Sequence, residues 1–299
     1  MKPARLPTRI LSAAALITGL VAGAGGTVQA ADLDKVHERG ALEIAAYRDY
    51  PPFSYRDGRK NVGIDLDIGK ALAEKMGVGL SVRMIGADEN MEDDLRNNIW
   101  KGHYIGGGTV DVMMHVPYDL DYAEENDLVR FLTPYYREQI ALLTHPERAG
   151  GVERIIDLEG LRVGVELDTL ADFYLLSGRQ GDLKDEVVHF TNLSLAAEAL
   201  LAGEIDAIFG PQAEFEGILG ESLGDYTVHY MATPGLRRNY WDVGLAVRIN
   251  HKALANEVVQ AMTELHESGA IREIFARHGV SYRSPSQSAV ATGYGKIEP

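Results

Sequence analysis

The sequence contains no cysteine, and this absence limits the ways in which its fold can be stabilised. None of the 299 residues can form a disulfide bond or act as a thiolate nucleophile. Small secreted domains commonly depend on disulfide bonds, whereas a chain of this size can bury a sufficient core without them. We therefore expect core burial alone to hold the fold. Domains commonly have about 150 residues, so the length of the chain favours two domains.

Long apolar runs are also scarce, and the one that stands out lies at the N-terminus. Three basic residues precede an apolar stretch from Ile10 to about Ala22, and the small-residue pattern Val28-Gln29-Ala30 follows it. The stretch is too short for a permanent membrane span, which needs about 20 residues. We therefore predict a signal peptide over residues 1–30, export to the periplasm and a mature chain that starts near Ala31.

Basic residues are outnumbered by acidic ones. Once the three basic residues of the predicted signal peptide are removed, 26 Lys and Arg residues remain against 44 Asp and Glu residues, a formal net charge of −18. Nucleic acids and anionic membrane surfaces are poor partners for such a chain. We therefore expect no nucleic-acid partner.

The motifs of common catalytic, phosphate and metal sites are missing as well. The sequence has no Gly-x-Ser-x-Gly elbow, and no two of its nine histidines have the spacing that would place them on one helical turn. Gly106 to Gly108 precede a predicted strand, whereas a phosphate-binding loop places its glycines between a strand and a helix. We therefore predict a structural turn at these glycines, no metal, no cofactor and no enzymatic activity.

Strand and helix patterns alternate along the mature chain. Leu42 to Ala46 is typical of a buried strand, and the segment VGIDLDIGKALAEKMG after it has apolar residues at helical spacing. Further strands are predicted at Leu80 to Ile85 and in VDVMMHV, and the alternation restarts from Ile155 after a surface turn. The C-terminal part predicts one more strand and two helices, with disorder beyond Tyr282. The restart favours a second α/β domain.

Aromatic and small polar residues collect at the predicted strand ends. In chain order they are Tyr47, Asp49, Tyr50 and Phe53 after the first strand, His115 and Tyr118 after the third, and Thr169 in the second domain. Ligands of open α/β sheets sit at the carboxyl ends of strands, and a cleft between two such domains is a usual place for a small molecule. We predict the site there, with core packing or a loop tip as the alternative for each residue.

Several motifs follow one another in a fixed order. They are LEIAAYRDYPPFSY, VGIDLDIGKALAEKMG, TVDVMM and VRFLTPYY, and then LEGLRVGVELDT and LLAGEIDAIFG in the second domain. In this order and spacing they resemble the periplasmic solute-binding proteins of the amino-acid-binding type, the family 3 receptors that serve ABC transporters. The resemblance covers nearly the whole mature chain.

This resemblance implies a two-lobed type 2 periplasmic binding protein fold with two crossover strands, in which the lobes close on a solute. Lobe 1 would comprise residues 31–135 and 242–299, and lobe 2 residues 136–241. Carried over by position, Tyr50 would stack on the ligand, and Thr169 would cap a helix of lobe 2 and face the ligand. The other residues implied at the ligand are His115, Val116 and Tyr118 in lobe 1, with Trp100 and His103 as a further wall.

The sequence departs from this family at the positions that hold an amino acid. The family grips the ligand carboxylate with an arginine shortly after the third strand, but no Lys or Arg occurs between Gly102 and Val129. Gly210 and Pro211 stand where an acidic residue would meet the ligand ammonium, and Asp168, also counted in the site, stands where glycine is common. We expect a monomer that binds a small polar solute other than an ordinary α-amino acid for the membrane permease of an ABC transporter.

Two alternatives remain open. The segments HVP and PYYRE are similar to a subgroup associated with periplasmic quinoprotein alcohol dehydrogenases, which predicts an accessory protein of a methanol or alcohol dehydrogenase system. A few relatives of this family are enzymes of the cyclohexadienyl dehydratase type. An anionic substrate would need a cationic anchor, and the missing arginine counts against that alternative.

Overall fold

The structure, a computed structural model, describes residues 31–177 and 183–286. The predicted signal peptide, residues 1–30, lies outside the described residues. Within the described residues the chain forms a nine-stranded sheet with helices packed against it, and a separate two-stranded ribbon. The α/β class predicted from the sequence is confirmed.

Strands and helices alternate along most of the chain. The strands are β1 (Ala41–Tyr47), β2 (Tyr55–Asp57), β3 (Lys60–Val62), β4 (Gly79–Ile85), β5 (Val112–Pro117), β6 (Val129–Thr144), β7 (Val163–Glu166), β8 (Val187–Phe190), β9 (Ala207–Pro211), β10 (Thr227–His229) and β11 (Tyr240–Arg248). The helices are α1 (Ala31–Arg39), α2 (Ile64–Lys75), α3 (Met91–Leu95), α4 (Leu120–Glu125), α5 (Pro146–Ala149), α6 (Leu170–Ser177), α7 (Leu193–Leu201), α8 (Gln212–Leu219), α9 (Lys252–Glu267) and α10 (Ala270–Arg277). A π-helical turn covers Arg96–Trp100, and 3-10 turns cover Ile155–Leu158 and Gly220–Asp225. Of the helices in the described ranges, none combines the length and the apolar character that a membrane crossing requires.

The sheet runs in the order β4, β1, β5, β11, β6, β9, β7, β8, and β10 pairs with β6. On one side of the order β1 lies parallel to β4 and β5, and on the other β7 lies parallel to β8 and β9. Parallel neighbours end at the same edge of a sheet. The residues that follow β1 and β5 therefore meet at one edge.

Two strands connect the halves of the sheet. β6 is 16 residues long: Val129 to Gln139 pair with β11, and Ile140 to Thr144 pair with β9. β11 returns the chain and pairs with both β5 and β6. This arrangement is the two-lobed fold with two crossover strands that the resemblance implies.

Each half of the sheet has its own apolar core. Ile44 and Leu72 pack in one cluster with Met262 of α9, whereas Val165 and Phe209 belong to a cluster of the other half. Because α9 follows β11 in the chain but packs with β1 and α2, the first half is built from two separate segments. The predicted boundaries at residues 135–136 and 241–242 stay a prediction.

The segment after α10 contacts both halves of the molecule. The Ser281 N–H donates to Glu216 Oε2 at 2.8 Å, and the Arg283 guanidinium donates to Gln212 Oε1 at 3.0 Å, so two bonds reach α8. Farther along, the Ser286 N–H donates to Asp242 Oδ2 of β11 at 3.2 Å. The expectation of disorder beyond Tyr282 is therefore wrong for residues 283–286, because their polar groups have partners on two elements. Residues 287–299 lie outside the described part of the chain.

Candidate functional site

The aromatic residues after β1 form one cluster with His115 near the end of β5. The Tyr50 ring stacks on Phe53 with centroids 5.2 Å apart, and the His115 ring stands edge-on to both, at 4.9 Å from Tyr50 and 4.2 Å from Phe53. Phe53 is fully buried and packs against the ring of Tyr50. The shared edge of the parallel strands thus brings three predicted site residues into contact.

A buried polar network fixes the position of His115. Its backbone N–H donates to the Tyr135 hydroxyl at 3.1 Å, and that hydroxyl donates to Asp65 Oδ1 at 2.6 Å. The other Asp65 oxygen lies 3.4 Å from His115 Nδ1. His115 has a φ of 55°, in the left-handed region that few residues other than glycine adopt. Such conformations persist only where the surroundings enforce them, and they concentrate at functional sites.

A cavity of about 420 Å³ lies beside this cluster. Of the predicted site residues, Tyr47, Asp49, Tyr50 and His115 line it. Glu166, at the end of β7, and Trp241 of β11 line it as well, so walls come from both halves of the sheet. Its volume falls in the range of small-molecule pockets.

Three carboxyl groups lie close to the residues that line the cavity, and one of them, that of Glu166, lines it directly. Glu138 of β6 is fully buried, and loss of hydration raises its pKa to about 7, although His115 acts in the opposite direction. Burial, and then Glu166 and Glu138, raise the pKa of Glu214 well above its ordinary value. The Tyr50 hydroxyl hydrogen-bonds Glu214, and burial raises the pKa of Glu166. Tyr50, which lines the cavity, is therefore surrounded by several acidic residues.

Other predicted site residues do not line the cavity. Val116 and Tyr118 are buried in a cluster with Ile99, and Trp100 packs against that cluster. His103 lies in the loop beyond, where its ring packs on Tyr104 with centroids 4.5 Å apart. The aromatic stretch from Trp100 to His103 is thus not gathered with Tyr50 and His115, and its role at the ligand stays a prediction.

Asp168 and Thr169 lie next to Glu166 but do not line the first cavity. Asp168 has a φ of 62°, and its N–H donates to Asp172 Oδ2 at 3.0 Å. The Thr169 hydroxyl donates to the Glu166 carbonyl at 2.7 Å and accepts the Asp172 N–H at 3.3 Å. Their hydrogen bonds hold the turn that leads from β7 into α6.

A second cavity, of about 540 Å³, shares Pro117 and Trp241 with the first. Arg238 Nη2 lies 2.9 Å from Asp119 Oδ2 along its wall, and Arg237 Nη1 lies 3.6 Å from Asp121 Oδ2. The segment after β5 has no basic residue of its own, but two arginines of the segment before β11 form ion pairs with its aspartates. Both guanidinium groups already have carboxylate partners.

The sequence analysis missed Glu138, Glu166, Glu214 and Trp241. Glu138 carries a signal that could have been used, because it is a charged residue within β6, a strand in which almost all residues are buried. Glu166 ends β7 and so carries the strand-end signal used for the other site residues. Glu214 carries no such signal, because it approaches Tyr50 only through the packing of α8 in three dimensions. The structure thus supplies second-half carboxylates although Gly210 and Pro211 stand at the position expected for one.

A metal site has no support within the described ranges. There, no three His, Asp or Glu side chains come together in an arrangement that could hold an ion.

Residues 42–102 match the family model of the bacterial extracellular solute-binding proteins, family 3. The L-cystine-binding protein TcyJ of Escherichia coli (strain K12) is 26% identical over 245 residues, which cover 81% of this chain and 84% of TcyJ. The solved structure of an ancestral cationic amino acid solute binding protein, AncCDT-1, has a TM-score of 0.66 at 20% identity and covers 83% of this chain and 99% of its own. The resemblance predicted from the sequence is confirmed, and it supports a solute-binding role.

One relative is an enzyme. The cyclohexadienyl dehydratase of Pseudomonas aeruginosa (strain PAO1) is 41% identical over 64 residues, which cover 21% of this chain and 24% of the dehydratase. That similarity leaves most of both chains unmatched. The similarity to TcyJ, by contrast, extends along most of both chains.

Proposed function

Because the chain resembles the family 3 solute-binding proteins along most of its length, we propose that it captures a small polar solute in the periplasm for an ABC-type transporter. The observation that carries the proposal is the cavity of about 420 Å³ whose walls come from both halves of the sheet. A solute bound there would touch both lobes and so stabilise their closed arrangement.

Four of the predicted site residues would contact the solute directly. Tyr50 would stack on it, His115 and Asp49 would supply polar contacts, and Tyr47 would present its ring, because its hydroxyl donates to Asp94 at 2.8 Å. Phe53 would act by supporting Tyr50. The other predicted site residues would contribute through the shape of the two lobes. They are Val116, Tyr118, Trp100, His103, Asp168 and Thr169.

The proposed solute is not an ordinary α-amino acid. Such a ligand needs a cationic partner for its carboxylate, and the segment after β5 offers Asp119 and Asp121 instead. The nearby Arg237 and Arg238 lie in ion pairs with these residues. Binding a carboxylate there would break an existing pair.

A thermal-shift screen of amines, sugars, organic acids and alcohol-derived metabolites tests the proposal. A ligand at 100 times its dissociation constant adds about 2.7 kcal/mol to the free energy of unfolding. We expect Tyr50→Ala to abolish the shift, since it removes the stacking surface. Tyr104→Ala is the matched control, because the Tyr104 side chain is 85% exposed in a loop away from the cavity.

A thermal-shift screen in which no compound binds would contradict the proposal. If no small molecule shifts the melting temperature, the transport proposal fails and the dehydrogenase-accessory alternative gains support. Co-purification from periplasm, with a permease or with a quinoprotein dehydrogenase as the captured partner, then separates the two. Turnover of a prephenate-like acid would contradict both.

A further inference from the structure

The charges around the first cavity define the kind of solute that fits it. We propose that the solute is an organic cation, an amine or guanidine without a carboxylate group, held between the ring of Tyr50 and the side chains of Glu166 and Glu214. This inference rests on the solute-binding function proposed above and specifies its ligand class.

The two acids come from the second half of the molecule. Glu166 lines the cavity directly at the end of β7. Glu214 of α8 is 6% exposed and is hydrogen-bonded by the hydroxyl of Tyr50, which lines the cavity. A cationic group seated on Tyr50 would therefore have two acidic residues nearby.

Glu138 is a further buried acid close to this group, because it acts on both Tyr50 and Glu214. Its Oε1 accepts the Gln139 N–H at 3.0 Å, but its Oε2 has no hydrogen-bond partner among the described residues. Glu216 and Glu214 of α8 repel a negative charge on Glu138, whereas His115 of β5 acts in the opposite direction. Negative charge in this region is costly, and a cation bound nearby would reduce that cost.

The basic residues near the cavity do not offset these acids. Arg48 lines the cavity, but its side chain is exposed and stands next to exposed Asp49. Among the described residues that line this cavity, Arg48 is the one Lys or Arg. An anionic solute would thus find one exposed guanidinium and the carboxyl groups of Asp49 and Glu166 in the lining.

The aromatic walls fit a cation as well. The rings of Tyr50 and Trp241 both line the cavity, and a cation over such a ring gains about 0.5–2 kcal/mol in general. The cavity volume of about 420 Å³ restricts the choice to small molecules.

Three compounds with the same four-carbon backbone and different end groups test the inference by isothermal titration calorimetry. Putrescine carries two ammonium groups, butanediol two hydroxyls and succinate two carboxylates. We expect putrescine to bind at least about tenfold more tightly than butanediol, because hydrogen bonds to charged groups are the stronger ones. Succinate should not bind measurably.

Two substitutions localise the effect. Glu166→Gln and Glu214→Gln should each weaken putrescine binding by about tenfold, since each removes one charged partner. Glu198→Gln is the matched control, because Glu198 is exposed on α7. If Glu214→Gln does not fold, as judged by circular dichroism, Glu166→Gln decides alone. Because burial raises the pKa of Glu166 and of Glu214, putrescine affinity should also rise as the pH rises and these carboxyl groups ionise, and binding should release protons.

The results separate the ligand class from the wider function. Tight binding of butanediol, succinate or an α-amino acid, with putrescine excluded, overturns the cation inference and leaves the solute-binding function standing. Unchanged putrescine affinity in Glu166→Gln also overturns it. If no compound of any charge binds, both the inference and the proposed function fail.

Discussion

At the scale of single residues, the buried acid Glu138 makes stability depend on pH. Burial raises its pKa from 4.5 to about 7, so the folded state holds this proton more tightly than the unfolded state does. Between these two values the folded chain binds more protons, and the contribution of Glu138 to stability falls as pH rises. Above about pH 7 the loss is complete.

Replacing Glu138 by Gln should remove this loss. We expect Glu138→Gln to be more stable than the natural protein at about pH 8, by up to about 3 kcal/mol, with little difference near pH 4.5. Urea denaturation at a series of pH values measures the difference. The exposed Glu221→Gln should leave the profile unchanged. A Glu138→Gln protein that is less stable at every pH would contradict this account.

The sequence identifies some site residues because their position follows from a general rule. Tyr50 follows β1 and His115 lies near the end of β5, two strands that the apolar pattern predicts, and the ends of parallel neighbours meet. Glu214 lies inside a helix and approaches Tyr50 through the docking of α8, which one-dimensional patterns do not describe. Residues at strand ends were therefore accessible from the sequence, whereas Glu214 was not.

At the scale of elements, β6 links β5 and α2 through one hydroxyl group. Tyr135 of β6 donates to Asp65 of α2 and accepts the N–H of His115 in β5. Its neighbour Tyr136 is equally buried, but the Tyr136 hydroxyl has no hydrogen-bond partner within the described residues. The two tyrosines thus form a natural pair for comparison.

Tyr135→Phe should lower the free energy of unfolding by about 2 kcal/mol, because it leaves a buried Asp65 oxygen unpaired. Tyr136→Phe should change the stability little, since it removes a hydroxyl without a partner. Chemical denaturation of both variants provides the measurement. Equal losses in the two proteins would show that packing, and not the Asp65 network, governs this part of β6.

Apolar patterning also explains which elements the sequence could predict. The strand predicted at Leu42–Ala46 is one residue shorter than β1 at each end, and the strand predicted at Leu80–Ile85 is one residue shorter than β4 at its start. The family resemblance implies a cleft wall at Trp100 and His103. Leu95, Ile99 and Val110 enter a core cluster, and Trp100 packs against it. Local sequence did not show which side of the sheet Trp100 would pack against.

At the scale of the whole molecule, two ion pairs join the lobes across the second cavity. Arg238 and Asp119 lie 2.9 Å apart and are partly exposed, whereas Arg237 and Asp121 lie 3.6 Å apart and are largely exposed. Exposed pairs contribute about 0.2–1 kcal/mol and are screened by salt. That energy is small against unfolding but acts directly on the equilibrium between open and closed lobes.

Arg238→Gln should shift the lobes toward the open arrangement and weaken solute binding by up to about fivefold. Arg237→Gln is the matched control and should have a smaller effect, because its pair is longer and more exposed. The chain has no cysteine, so spin labels on Glu124→Cys and Glu159→Cys report the distance between lobes by electron–electron resonance. A distance distribution that is identical in all three proteins would exclude this contribution.

The segment from Ser281 to Ser286 determines how such an opening can proceed. It is bonded to α8 in one lobe and to β11 between the lobes. Sliding one lobe past the other would tear these bonds, whereas a rotation whose axis runs alongside the segment would keep them. We therefore expect the lobes to rotate about an axis alongside the C-terminal segment and to separate on the side of the molecule that lies opposite it.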